Sequence, residues 1–233
     1  MAVDSYLDSL VTIAAPRSPI SEAYRSLRTN LEFSSLDRPL KTMVVTSPGP
    51  EEGKSTTLAN LAVSLAQAEK KVILVDCDLR RPAQHQIFGL TNGAGLTTMV
   101  VDDDAMTDPP LQETQAPGLW LLSSGPLPPN PSELLGSRRM QEIIDVLSQR
   151  ADIVLFDAPP IIAVTDAAVL SSKVDGVLLV INAGGTKRDH AQRAKALLEK
   201  VNAHLVGVVL NNVKMDASLH RYYAEQKGTL GVD

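Results

Sequence analysis

The chain has 233 residues, 44% of them hydrophobic and only 3% aromatic, which is enough for one sizeable aliphatic core. A formal net charge of −5 and a pI near 5.4 argue against a basic nucleic-acid footprint. The single cysteine, Cys77, excludes an intramolecular disulfide. The chain starts without a signal-peptide pattern, and no apolar run approaches the ~20 residues of a spanning helix. These features fit a cytoplasmic protein with no nucleic-acid partner, any membrane role of which runs through another protein.

The first predicted element is a helix over 18–33, with Ser18 as cap and Pro19 at its first position. Its apolar face is Ile20, Tyr24, Leu27 and Leu31, and Glu22, Arg25 and Arg28 lie three apart on a neighbouring face. Strands and helices then alternate. Strand 42–47 is followed by a loop and a helix from about Gly53 to Glu69, with Leu58, Leu61, Ala62, Leu65 and Ala66 inward. Strand 71–76 leads into a long loop, then strand 119–124, a helix around 133–149 and strand 152–157. A helix around 165–172, strand 176–183, a helix around 187–201 and strand 205–212 complete the series. The strands are unbroken aliphatic runs, the pattern of parallel strands covered by helices on both faces. The expected architecture is a single three-layer α/β domain, with a mostly parallel central sheet flanked by helices. A short N-terminal arm (1–17) precedes it and a tail (215–233) follows.

Three stretches carry chemistry. "TSPGPEEGKSTT" (46–57) lies between a strand and a helix, where backbone N–H groups and the positive end of the helix dipole face phosphate. Gly49, Pro50, Glu51, Glu52, Gly53, Lys54, Ser55 and Thr56 form this loop. Lys54 suits the β- and γ-phosphates and Ser55 suits Mg²⁺. The usual first glycine of the pattern would stand at 48, where this chain has Pro48, and the side chains of Glu51 and Glu52 must point away from phosphate. Asp157 closes the strand "DIVLFD", as a Mg²⁺-associated acid does. "VILVDCDLRRP" (72–82) adds Asp76 and Asp78, on one side of an extended chain with Cys77 opposite. One of the two carboxylates can hold Mg²⁺ and the other can take a proton from an incoming hydroxyl. The structural alternative is a salt-bridged pair with Arg80 or Arg81. Cys77 reads as a small buried hydrophobe, Trp120 as core, and the four histidines as too scattered for a metal set.

In its order of motifs the chain resembles the bacterial tyrosine autokinases (BY-kinases) of capsule and exopolysaccharide production, relatives of the MinD/ParA-like P-loop ATPases. The matching stretches are "EAYRSLRTNL", "TSPGPEEGKST", "VILVDCDLRRP", "GPLPPNPSELLGS", "DIVLFDAPP", "VTDA" and "VVLNNV". The resemblance implies a P-loop NTPase fold with ATP and Mg²⁺ as cofactors. It also implies Lys54 and Ser55 as phosphate and Mg²⁺ ligands, Asp76 as base, Asp78 and Asp157 at the metal, and Asn211 at the adenine edge. By the same resemblance Glu22, Arg25 and Arg28 belong to a ring-forming helix, Tyr222 and Tyr223 are autophosphorylation sites, and a transmembrane polysaccharide co-polymerase adaptor places the kinase at the inner face of the membrane. The chain departs from the family in three ways. Glu51 replaces the commoner glycine and is strained if that position needs positive φ. The tail has only two tyrosines. There is no fused membrane adaptor, as in a stand-alone kinase or a cytoplasmic piece of a longer protein. A non-kinase ATPase switch of the MinD/ParA class is the alternative. Its "KGG" loop start, basic DNA surface and terminal amphipathic helix are not found in the sequence.

Overall fold

A computed structural model describes residues 9–34 and 39–214. Tyr222 and Tyr223 lie outside them, as do the rest of the tail and the first eight residues.

Seven strands form one sheet: β1 (Thr42–Thr46), β2 (Val72–Asp76), β3 (Gln112–Glu113), β4 (Leu119–Leu122), β5 (Ile153–Asp157), β6 (Gly176–Asn182) and β7 (Leu205–Asn211). Their order is β3-β4-β2-β5-β1-β6-β7. Every pairing is parallel except that of β3 with β4. The fold is therefore the expected P-loop α/β class. Alternation sends Val44, Ile73, Val75, Val154, Phe156, Val177 and Leu179 into one hydrophobic layer, and Met43, Val45, Val72, Leu74, Leu155, Leu178 and Val180 into the other.

The second layer is covered by α1 (Val11–Ala14), α2 (Pro19–Ser34), α3 (Lys54–Ala66) and α4 (Gln84–Ile87). The first is covered by α5 (Leu96–Val101), α6 (Asp104–Thr107), α7 (Pro131–Gly136), α8 (Arg138–Ser148), α9 (Asp166–Ser171) and α10 (Arg188–Lys200). Helix α3 is buried continuously from Thr57 to Ala66, beyond the single inward face read from periodicity, because α1 and α2 cover the side away from the sheet. Asn60 ties α1 to it. Its Oδ1 accepts from Thr12 N and Oγ1 at 3.0 and 2.9 Å, and its Nδ2 donates to the carbonyl of Ser9 at 2.8 Å.

Four details differ from the sequence expectation. Ile20 is 53% exposed. The buried stripe of α2 begins instead at Ser21, whose hydroxyl donates to the carbonyls of Val11 and Ala15 at 3.0 and 2.7 Å, so a polar residue meets the polar end of α1. The single helix at 133–149 is two, broken at Ser137, whose Oγ caps α8 by accepting from Met140 N at 3.1 Å. The long loop after β2 contains α4, α5, α6 and the antiparallel β3. Finally, β7 is an edge strand. Val208 and Leu210 are 51% and 61% exposed, so it is not covered on both faces.

Candidate active site

In a parallel sheet the carboxyl ends of all strands lie on one side, and the crevice opens where successive connections diverge. From β1 the chain runs to β2 on one flank, while β6 and β7 lie on the other. Val45 and Asp76 both register with Asp157, so the ends of β1, β2 and β5 converge there.

The loop after β1 is shaped by its own residues. Gly53 has φ +82°, and a Cβ on it would meet Asn211 Nδ2 at 2.1 Å, so only glycine fits. Glu51 has φ +60°, the strained left-handed region expected of that position if glycine is the natural occupant. Its side chain is exposed. Glu52 does the opposite and is buried. Its Oε1 accepts from Gly49 N at 2.9 Å, and its Oε2 accepts from Asn182 N at 3.1 Å and Thr186 Oγ1 at 2.6 Å. Its carbonyl accepts from Asn211 Nδ2 at 3.0 Å. Glu52 is therefore a brace between the loop and the ends of β6 and β7, a role its place in the motif did not announce. Pro50 lies in the turn of this loop, and Ser55 and Thr56 open α3. No side chain caps α3 at Gly53, so its first N–H groups face outward in the arrangement that binds phosphate.

Lys54 is the centre of the charge cluster. Its Nζ lies 3.0 Å from each of Asp78 Oδ2, Asp157 Oδ1 and Ser55 Oγ. Burial alone would lower the lysine's pKa. The charges of Asp157 and Asp78 and their hydrogen bonds outweigh it and hold the group above its ordinary value. Asp157 is fully buried, and its Oδ2 accepts from Gln84 Nε2 at 2.7 Å. Asp76 is also fully buried. Its carboxylate accepts from the backbone N–H groups of Asp78, Ala83 and Gln84 at 3.2, 3.0 and 2.9 Å. Burial and the charge of Asp157 push Asp76 up to about 8. Between them, Cys77 packs into the core, and burial raises its thiol well above the usual range.

The guanidinium groups after Asp78 make no ion pair with Asp76 or Asp78, although the backbone N–H of Arg81 donates to Asp78 Oδ1 at 3.0 Å. Arg80 makes a two-pronged ion pair with Asp166 at the start of α9, Nε to Oδ2 at 2.9 Å and Nη2 to Oδ1 at 3.1 Å. Ser132 of α7 donates to the same carboxylate. Burial opposes ionisation of Asp166, but these partners hold its carboxyl below the usual range. Thus the motifs around 132 and 166, noticed in the sequence without a role, clamp the Asp76–Asp78 loop from outside. On α2, Arg25 Nη2 pairs with Glu22 at 2.6 Å, and Arg28 turns inward to the carbonyl of Ser64 at 2.8 Å.

A divalent cation fits this site on the chemistry of its donors, since three oxygens already surround one ammonium. Among the described residues no three His, Cys, Asp or Glu side chains form a self-sufficient cage. That suits Mg²⁺, which is held by one or two carboxylates together with substrate phosphates.

Residues 43–232 match the CobQ/CobB/MinD/ParA nucleotide binding domain family. Tyrosine-protein kinase YwqD of Bacillus subtilis (strain 168) is 44% identical over 216 residues, which cover 92% of this chain and 91% of that protein. The chain belongs to the bacterial tyrosine-kinase family. As a BY-kinase it is an enzyme, and its fold agrees with solved relatives. The chimerical protein CapA2B2 is 40% identical with a TM-score of 0.85, covering 89% of this chain and 91% of that one. The kinase domain of Escherichia coli tyrosine kinase ETK is 32% identical with a TM-score of 0.84, covering 90% and 82%. Among the described residues no helix is long and apolar enough to cross a membrane.

Proposed function

We propose that this BY-kinase transfers the γ-phosphoryl group of ATP, with Mg²⁺, to tyrosine hydroxyls, including Tyr222 and Tyr223 of its own tail. The carrying observation is the meeting of Lys54, Ser55, Asp78 and Asp157 at the N-terminus of α3, with Asp76 beside them. On this reading Lys54 exchanges its carboxylate partners for the β- and γ-phosphates when ATP binds. The released oxygens of Asp78 and Asp157, with Ser55 Oγ, would then hold Mg²⁺, which when bound would supply charge neutralisation for the transferred phosphoryl group. Asn211, packed against Gly53, lies at the edge of the loop where the base of the nucleotide is expected. Asp76 combines two roles, anchoring its own loop through three N–H groups and accepting the tyrosine proton. In the metal-free, nucleotide-free protein burial and the charge of Asp157 raise its pKa to about 8, and a cation bound beside it would favour the carboxylate form that accepts the proton.

The wider reading rests on the motif resemblance. The chain is one kinase domain, cytoplasmic and peripheral to the inner face of the membrane. It assembles into a ring through the Glu22/Arg25/Arg28 helix and is switched by a transmembrane polysaccharide co-polymerase adaptor to regulate capsule or exopolysaccharide synthesis and export. The test is incubation with γ-labelled ATP and Mg²⁺, with and without adaptor peptide, followed by mapping of the label. Phosphate on Tyr222 or Tyr223 that disappears in Lys54→Met is the expected result. ATP turnover with no phosphotyrosine under either condition overturns it.

A further inference from the structure

Gln84 lies in none of the phosphate-binding or acidic motifs, yet it touches all three. It opens the short helix α4 and is fully buried. Its backbone N–H donates to Asp76 Oδ2 at 2.9 Å. Its Nε2 donates to Asp157 Oδ2 at 2.7 Å and to the carbonyl of Ser55 at 3.1 Å. Both hydrogens of the amide are thus used on acceptors. The reverse orientation would set oxygen against oxygen, so the amide has one arrangement. In that arrangement Oε1 is a buried acceptor with no hydrogen-bond donor among the described residues. A buried polar atom left this way is uncommon and points to a ligand that supplies the donor.

We propose that Gln84 is a positioning residue for the divalent cation of this site. By binding Asp157 Oδ2 it turns Oδ1 toward the place where Lys54, Asp78 and Ser55 meet. Its Oε1 takes a hydrogen bond from the water that Mg²⁺ retains in its shell. Mg²⁺ loses its water reluctantly and keeps several molecules when bound to proteins, so donors arrive with the ion. Partners that orient a metal-ligating carboxylate commonly set metal affinity by 10–100-fold. The proposal rests on the ATP·Mg²⁺ reading above and deepens it.

The test uses the full chain and a fluorescent ADP analogue. Nucleotide affinity is measured first without Mg²⁺, and Mg²⁺ is then titrated into the nucleotide complex. Gln84→Met keeps the size of the side chain and removes both amide functions. It is expected to leave metal-free nucleotide affinity within about twofold while raising the Mg²⁺ half-saturation by about tenfold or more. In the wild-type protein the assigned side-chain amide resonance of Gln84 is expected to move when Mg²⁺ is added to the ADP complex. If Gln84→Met does not fold, that resonance decides alone. An unchanged half-saturation, an unmoved resonance, or equal loss of nucleotide affinity with and without Mg²⁺ overturns the positioning role. A wild-type chain that binds nucleotide with no Mg²⁺ effect overturns the site reading itself, and this inference with it.

Discussion

Lys54 is held by two carboxylates and a hydroxyl in the nucleotide-free protein, and this makes it a stabilising residue as well as a candidate phosphate ligand. Removing one partner of a buried ion pair leaves uncompensated charge, at a cost of roughly 3 kcal/mol. Lys54→Met is therefore expected to destabilise the nucleotide-free protein by about that amount. Adding Asp157→Asn in the same chain should recover part of the loss, as read from urea unfolding. Asp76 makes a second prediction. Its pKa rises from an ordinary 3.8 to about 8 on folding. The folded state then binds a proton that the unfolded state has lost, so this contribution to stability is complete below about pH 4 and is lost as pH rises through 8. In the metal-free, nucleotide-free protein, unfolding free energy should fall across that window. Asp76→Asn should flatten the slope, and a slope that persists in Asp76→Asn would refute the assignment.

Among the elements, the loop after β2 is controlled from outside itself. Arg80 is the bolt. It leaves β2, crosses to α9 and meets Asp166, which Ser132 of α7 also holds. The Arg80 side chain is 42% exposed, so solvent screens its charge, and its loss should cost about 1–2 kcal/mol, chiefly from the buried carboxylate left short of partners. Arg80→Ala and Asp166→Asn should be non-additive in a double-mutant cycle. Arg80→Lys should rescue poorly, because an ammonium does not reproduce the two-pronged contact. Fully additive effects would show that the pair does not act as a unit. This coupling was only half legible in the sequence. The stretches "PSE" and "VTDA" stood out in the family pattern, but nothing local says that Asp166 turns inward to an arginine 86 positions away. Gln84 gave no signal at all, being one polar residue in a stretch read as loop. The α7–α8 break was readable in principle, since Gly136–Ser137 is a stop followed by a cap.

At the scale of the whole molecule, the order of strands explains why distant motifs form one site. β5 sits between β1 and β2, which places Asp157 next to both the phosphate loop and Asp76. The same scale bears on assembly. On α2 the Glu22–Arg25 pair is part-exposed, with Arg25 also donating to the Pro16 carbonyl at 2.9 Å, whereas Arg28 reaches across to the carbonyl of Ser64 on α3. On the ring reading proposed above, Glu22→Ala with Arg25→Ala is accordingly expected to leave a monomer in light scattering with little change in melting temperature. Arg28→Ala should lower the melting temperature as well. An unchanged mass in both variants would exclude this helix as the ring interface.

Taken alone, the sequence determined the alternation of strands and helices and the parallel character of the sheet, and it marked Lys54, Ser55, Asp76, Asp78 and Asp157 as candidates for one site. These are legible because periodicity and motif spacing are local properties of the chain. Only the tertiary structure decided that Glu52 braces the loop, that Ile20 faces solvent while Ser21 is buried, that Arg80 belongs to Asp166, and that Gln84 joins the three motifs. Each of those outcomes depends on which side chain a polar group meets across the fold. Burial forces every such group to find a partner, but the partner's place in the sequence is set by strand order rather than by spacing along the chain.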